Sequence, residues 1–153
     1  MAPHAPGVLV GLALGGGGLA EAPPGCTNLT VETRYLAEPE PSILFEVRSD
    51  QPCTMYQADL PWGNFYSVRL SVRDASGRVC SRATARIDDP SDTAVSLKPG
   101  EPTSGTVPLT PHCPTLAALL ANGPVTVNWE YTAVIHRADA ERPKGRIVVP
   151  RRP

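Results

Sequence analysis

The most regular alternation of apolar and polar residues in the chain reads Val125-Thr126-Val127-Asn128-Trp129-Glu130-Tyr131-Thr132-Ala133-Val134-Ile135. Its odd-numbered positions are apolar, and its even-numbered positions are mostly polar. A period of two is typical of a half-buried β-strand, because successive side chains point to opposite faces of a sheet. We therefore expect a strand in which Trp129 faces the core and Glu130 faces solvent.

Residues 29–35 and 43–47 repeat this period, and the turn-forming residues Glu38-Pro39-Glu40-Pro41 lie between them. We expect a hairpin with its odd-numbered residues inward, which places Tyr35 opposite Ile43 or Phe45. Further elements follow from alternation, turn residues and one short helical pattern. They are strands at 65–73, 78–87, 93–97, 103–109 and 145–149, a turn at 74–77, and a helix at 114–121.

Composition favours the same class, since the 153 residues include 18 Pro and 13 Gly, which disfavour long helices. Seven to nine short strands with one short helix predict an all-β antiparallel β-sandwich, with immunoglobulin-like topology as the leading choice. We assign residues 21–136 to this domain. Residues 137–153 are a basic C-terminal segment in which a last short strand can form.

The N-terminus resembles a secretory signal peptide, with an apolar stretch at 7–14 and small residues before a cleavage point after Ala20. We therefore predict a signal peptide at residues 1–20. A Gly-rich leader without a targeting role is the alternative. The stretch is too short to span a bilayer. Lipidation at Cys26 is disfavoured, because Pro23-Pro24-Gly25 lacks the aliphatic residue of a lipobox.

All four cysteines follow the cleavage point, and an even number in a small domain predicts two disulfides in the periplasm or outside the cell. The hairpin register brings Cys26 within about one residue of Cys53, which favours that pair. By elimination Cys80 pairs with Cys113. A zinc site at His112 and Cys113 is the weaker alternative, since no C-x-x-C spacing occurs.

Three patterns resemble bacterial exported immunoglobulin-like domains: residues 42–48, Leu97-Lys98-Pro99-Gly100-Glu101 and Trp129-Glu130-Tyr131. Among such domains, residues 27–136 are similar to the β-sandwich segment that precedes the catalytic domain of deuterolysin-type metallopeptidases. The chain departs from antibody domains, because Pro111-His112 precedes Cys113 where a tyrosine two residues before the cysteine is usual. A bacterial source also fits twelve Arg against two Lys.

The sequence contains no recognisable catalytic or cofactor-binding motif. No nucleophile elbow, phosphate loop or hydrolytic triad can be assembled around His112 and His136, so we expect no enzyme activity and no cofactor. A net charge of −1 argues against nucleic acid as a partner. Three aspartates in residues 88–92 are expected to form a solvated turn rather than a calcium loop.

One segment holds four of the eight aromatic residues within residues 55–66. Its candidate binding residues are Tyr56, Leu60, Pro61, Trp62 and Phe65. The favoured interpretation is that Trp62 folds inward as a plug over one end of the sandwich. The alternative is a contact surface, because Trp and Tyr on a braced loop dominate binding energy.

These observations predict a non-catalytic exported protein that binds another protein through loops at one end of the sandwich. The alternative is an inhibitor or pro-segment-like partner of a secreted protease, which the metallopeptidase resemblance implies.

Overall fold

The computed structural model describes residue 26 and residues 28–81, 93–132 and 142–152. Within these ranges the chain forms eight strands: β1 Leu29–Leu36, β2 Ser42–Ser49, β3 Cys53–Tyr56, β4 Val68–Arg73, β5 Ala94–Leu97, β6 Thr103–Pro108, β7 Val125–Tyr131 and β8 Lys144–Val149. One α-helix, α1, covers Leu116–Asn122, and short 3₁₀-helices cover Gln57–Asp59 and Thr110–His112.

The strands form three antiparallel sheets, in the orders β1-β2-β6, β3-β5 and β4-β7-β8. The two three-stranded sheets share one buried core, and their central strands meet through Phe45 of β2 and Trp129 of β7. The two rings pack edge to face, with centroids 5.3 Å apart. The predicted all-β, sandwich-like class with one short helix is therefore confirmed, while the immunoglobulin-like topology stays a prediction.

Alternation sets the register of the sheets. Every odd-numbered residue of β7 is buried and every even-numbered residue is half-buried, as the period of two predicts. In the first hairpin Tyr35 lies opposite Ile43. The expected disulfides Cys26–Cys53 and Cys80–Cys113 are both present, and the structure has no free cysteine.

The strands predicted at 65–73 and 78–87 differ most from the elements observed. β4 begins at Val68 rather than at residue 65, because residues 64–67 turn and the Ser67 amide donates to the Asn64 carbonyl. After the turn that ends at Gly77, the described residues 78–81 form only an isolated bridge between Arg73 and Val79. The rest of the expected strand at 78–87 lies outside the described residues.

The turn at 74–77 itself is confirmed. The Gly77 amide donates to the Asp74 carbonyl over 2.9 Å, and Gly77 has a φ of 88°. The Asp74 carboxylate accepts hydrogen bonds from Ser76 and Arg78. These bonds lower the pKa of Asp74, the Ser76 hydroxyl contributing most.

The basic C-terminal segment joins the sheet. β8 pairs with β7 along its length, so the last short strand is present. Beyond it, the Arg152 amide donates to the Leu120 carbonyl and the Arg151 side chain donates to the Ala121 carbonyl. In the described part of the chain, no helix has the length and apolar character required to cross a membrane.

Candidate functional site

The aromatic segment is an ordered loop rather than a flexible connection. β3 occupies its first residues, and the 3₁₀-helix Gln57–Asp59 follows. The Ala58 carbonyl accepts hydrogen bonds from the Asn64 side chain at 2.8 Å and from the Ser67 hydroxyl at 2.7 Å. Two side chains at the end of the loop thus form hydrogen bonds with its beginning.

Gly63 makes this closure possible. A Cβ at this position would lie 2.1 Å from the Gln57 carbonyl oxygen and 2.7 Å from the Ala58 carbonyl oxygen, both backbone atoms. The loop therefore closes only around a residue without a side chain.

The ring of Trp62 lies on the inner side of β6. A Cβ built on Gly105 would be 2.2 Å from Trp62 Cδ2, so the indole occupies the space that a side chain would fill. Gly105 is paired with the buried Phe45, and paired residues share a face of the sheet. Trp62 is half-buried and packs against the core. This position corresponds to the plug interpretation.

Phe65 stacks on His112, with ring centroids 4.4 Å apart and an interplanar angle of 4°. His112 is buried, and it directly precedes Cys113 of the second disulfide. Phe65 also packs edge to face with Tyr66, with ring centroids 5.4 Å apart. Tyr66 is 59% exposed, and its amide donates to the Asn64 side chain. One aromatic row therefore runs from the core to solvent.

A cleft of about 220 Å³ lies beside this row, between the loop and the end of β6. We call it the aromatic cleft. Aromatic rings and prolines predominate among its lining residues, which are Pro61, Trp62, Gly63, Asn64, Phe65, Thr106, Val107, Pro108, Pro111 and His112.

The five residues predicted for binding have different positions. Trp62 and Phe65 line the aromatic cleft, whereas Tyr56 is half-buried in β3 and does not line it. Leu60 is buried at 2% exposure, and Pro61 is buried although part of it lines the cleft. The Leu60 side chain therefore belongs to the core and not to a surface, which corrects its assignment as a binding residue.

Sequence reasoning missed Tyr66, Pro108, Pro111 and His112 as members of the site. Tyr66 was within the aromatic segment and could have been chosen by its position beside Phe65. The others are more than about 40 residues away along the chain, and only the tertiary fold brings them to the loop. Pro111-His112 before Cys113 was the available signal, since a disulfide fixes the backbone beside it.

The sequence offered two alternatives for a metal site, His112 with Cys113 and the aspartates of residues 88–92. Among the described residues, no group of three or more His, Cys, Asp or Glu side chains is placed to hold a metal ion. The Cys113 sulfur is in a disulfide, so the alternative of a zinc site at His112 and Cys113 is wrong. The aspartates of residues 88–92 and His136 lie outside the described residues.

Comparison of the chain with protein-family models, with curated proteins and with solved structures gave no match.

Proposed function

We propose that this protein is a non-catalytic, exported β-sandwich that binds another protein through the aromatic cleft and the exposed ring of Tyr66. The observation that supports the proposal is the braced aromatic row, in which a 59%-exposed tyrosine is backed by the Phe65–His112 stack. Tyrosine and tryptophan at the centre of a contact contribute most of the binding energy in many interfaces.

The loop is suited to binding because it is ordered before a partner arrives. Hydrogen bonds from Asn64 and Ser67 to the Ala58 carbonyl hold its two ends together. A contact made by a fixed loop loses less conformational entropy than one made by a flexible loop. The prolines of the cleft walls, Pro108 and Pro111, restrict the opposite side in the same way.

Within this site the Trp62 side chain stabilises the loop, and the Tyr66 side chain contacts the partner. The Trp62 indole is packed on Gly105 next to the core, so only part of it can meet a partner. Tyr66 is mostly exposed and packs edge to face with Phe65, so most of its surface is accessible to a partner. The plug and the contact surface are therefore neighbouring parts of one loop.

Export is part of the proposal, and the two disulfides support it. Such bonds form and persist in oxidising compartments, which include the periplasm and the cell exterior. The apolar N-terminal stretch is the other support.

Site-specific photo-crosslinking tests the proposed function. A benzophenone amino acid replaces Tyr66 in protein expressed in its native source, and a matched protein carries the same group at Lys98. Lys98 is exposed and lies shortly before the first residue of β6, whereas the cleft lies beside the last residues of that strand. We expect a crosslinked partner from position 66 and none from position 98. No crosslink at position 66, or the same crosslinks from both positions, would overturn the proposal.

The identity of the crosslinked protein also addresses the predicted alternative of a protease inhibitor. If a secreted protease is captured, stoichiometric inhibition of its hydrolysis by the purified domain is the second measurement. An interaction module without inhibitory function leaves the hydrolysis rate unchanged.

A further inference from the structure

The outer face of the sheet β4-β7-β8 carries an unusual set of charges. Alternation turns Arg69 and Arg73 outward from β4, and Lys144 and Arg146 outward from β8. All four residues are exposed. Between them, the central strand β7 presents the polar side chains Thr126, Asn128 and Glu130. We call the surface formed by these seven residues the basic face.

Glu130 is the one carboxylate among the outward residues of these three strands, and it already has cationic partners. Its carboxylate oxygens lie 3.8 Å from Arg69 and 3.2 Å from Arg142. Lys144 and Arg146 have no ion pair with any described residue. Among the described residues a positive excess therefore remains on this face, whereas the chain as a whole has a net charge of −1.

The opposite sheet shows that this excess is local. The outward residues of β1 and β2 include two carboxylates, Glu32 and Glu46, and two guanidinium groups, Arg34 and Arg48. Charge is thus balanced on one face of the molecule and positive on the other. A face of one sign raises the local concentration of oppositely charged ligands.

The shape of the basic face fits an extended chain. Neighbouring strands lie roughly 5 Å apart, so the cations of β4 and those of β8 form two rows about 10 Å apart. A trough of about 390 Å³ runs between them, and Ser71 and Asn128 contribute to its lining. Residues two apart on β8 are separated by roughly 6.6 to 6.8 Å, which equals the spacing of alternate side chains in an extended peptide.

From the charge and the spacing we propose that the basic face docks an extended acidic segment of a protein partner. Acidic side chains at alternate positions of this segment form ion pairs with Lys144 and Arg146. The Asn128 amide and the Ser71 hydroxyl are in reach of the backbone of the segment. Single-stranded nucleic acid is disfavoured, because such sites stack bases on accessible aromatic rings. Trp129 is the one aromatic residue that lines the trough, and it is only 5% exposed and belongs to the core. This inference does not depend on the aromatic cleft.

Binding of a fluorescein-labelled oligoglutamate peptide, followed by fluorescence polarisation, tests the proposal. The full domain is compared with the double variant K144Q/R146Q and with the control R34Q/K98Q. Both variants lose two positive charges, but Arg34 and Lys98 lie away from the basic face and are exposed. All substituted side chains are exposed, and equal melting temperatures confirm that the fold is retained.

We expect K144Q/R146Q to weaken peptide binding at least tenfold and R34Q/K98Q to weaken it less than twofold. We also expect binding to fall between about 50 and 200 mM salt, because exposed charges are screened. Equal losses in both variants would show a general charge effect and overturn the proposal. Undetectable binding by the unaltered domain at low salt, or tighter binding of an oligothymidylate of equal charge, would also overturn it.

Discussion

Two tryptophan rings in this protein lie on glycines. Trp62 covers Gly105 of β6, and Trp129 covers its cross-strand partner Gly145 of β8. In both places an added Cβ would come within 2.7 Å of the ring or closer. Alternation predicts that Trp129 faces inward, but neither glycine contact could be predicted, because each depends on which residues the register and the loop bring together.

Gly105→Ala tests the position of Trp62. The new methyl group would overlap the indole, so we expect a loss of about 1 to 3 kcal/mol in the free energy of unfolding, as for other overpacked sites. Trp62→Ala removes half-buried packing and should cost about 2 to 3 kcal/mol. In the double variant the methyl group has room, and the two losses should not add. Urea unfolding of the four proteins measures this coupling.

Additive losses would contradict the contact between Trp62 and Gly105. Tyr66→Ala is the matched control from the same loop. Because Tyr66 is mostly exposed, we expect its removal to change stability by no more than about 0.5 kcal/mol.

Tyr131 joins the end of β7 to the aromatic loop, since its hydroxyl donates to the Asp59 carbonyl. Burial, with a smaller effect of the Asp59 carboxylate, raises the pKa of Tyr131 above its usual value of 10.0. The neutral side chain is therefore favoured by the fold. The stability that the neutral Tyr131 side chain contributes to the fold is complete below pH ~10. It is lost as the pH rises above that value, because the tyrosine of the unfolded chain then ionises.

We expect Tyr131→Phe to lower stability by about 1 kcal/mol at neutral pH, through loss of the hydrogen bond. Above pH ~10 the difference between the two proteins should shrink or reverse, because phenylalanine cannot ionise. Urea unfolding between about pH 7 and 11 measures the trend. Parallel stability curves over that range would show that Tyr131 does not titrate as its burial implies.

At the scale of elements, periodicity was informative where strands are long. β1, β2, β4 and β7 each provide six or more residues of alternation, and all four were predicted. β3 was missed because its four residues allow only two alternations, and its pairing with β5 is a tertiary contact. The expected helix at 114–121 is observed at Leu116–Asn122, since Pro114 and Thr115 form the preceding turn.

The central strand β7 gives the clearest element-scale prediction. Trp129 is 5% exposed and meets Phe45, so Trp129→Ala should cost about 3 to 5 kcal/mol. Glu130 is half-buried rather than fully exposed, and it has two arginine partners. Glu130→Ala should nevertheless cost no more than about 1 kcal/mol, because ion pairs near the surface are weak. Thermal and denaturant unfolding compare the two, and equal losses would contradict the assigned faces.

At the scale of the whole molecule, the disulfides join distant parts of the chain. Cys26–Cys53 spans 27 residues and Cys80–Cys113 spans 33. Both pairs could be predicted, because the hairpin register favoured the first and elimination left the second. The candidate site was predicted only in part: Trp62 and Phe65 are local to the aromatic segment, whereas His112 reaches Phe65 only through the fold.

Replacement of Cys80 and Cys113 by serine should therefore affect both stability and the site. We expect a loss of roughly 3 to 4 kcal/mol from the unfolding free energy, as the chain-entropy model gives for loops of this length. His112 should also become less fixed beside Phe65, which proton NMR of the two rings would report. Intact-mass measurement of the unaltered protein should show no free thiol, and titratable thiols in native protein would contradict both bridges.

The central claim is that Tyr66 and the aromatic cleft form a contact surface for a protein partner. Calorimetric titration of variants of the domain with the purified partner, once crosslinking has identified it, tests this claim most directly. Tyr66→Ala is compared with Lys98→Ala, because both side chains are exposed and Lys98 lies away from both the aromatic cleft and the basic face. We expect Tyr66→Ala to weaken binding about tenfold or more at an unchanged melting temperature, and Lys98→Ala to have little effect. Equal affinity of the Tyr66→Ala protein and the unaltered domain for the partner would contradict the account.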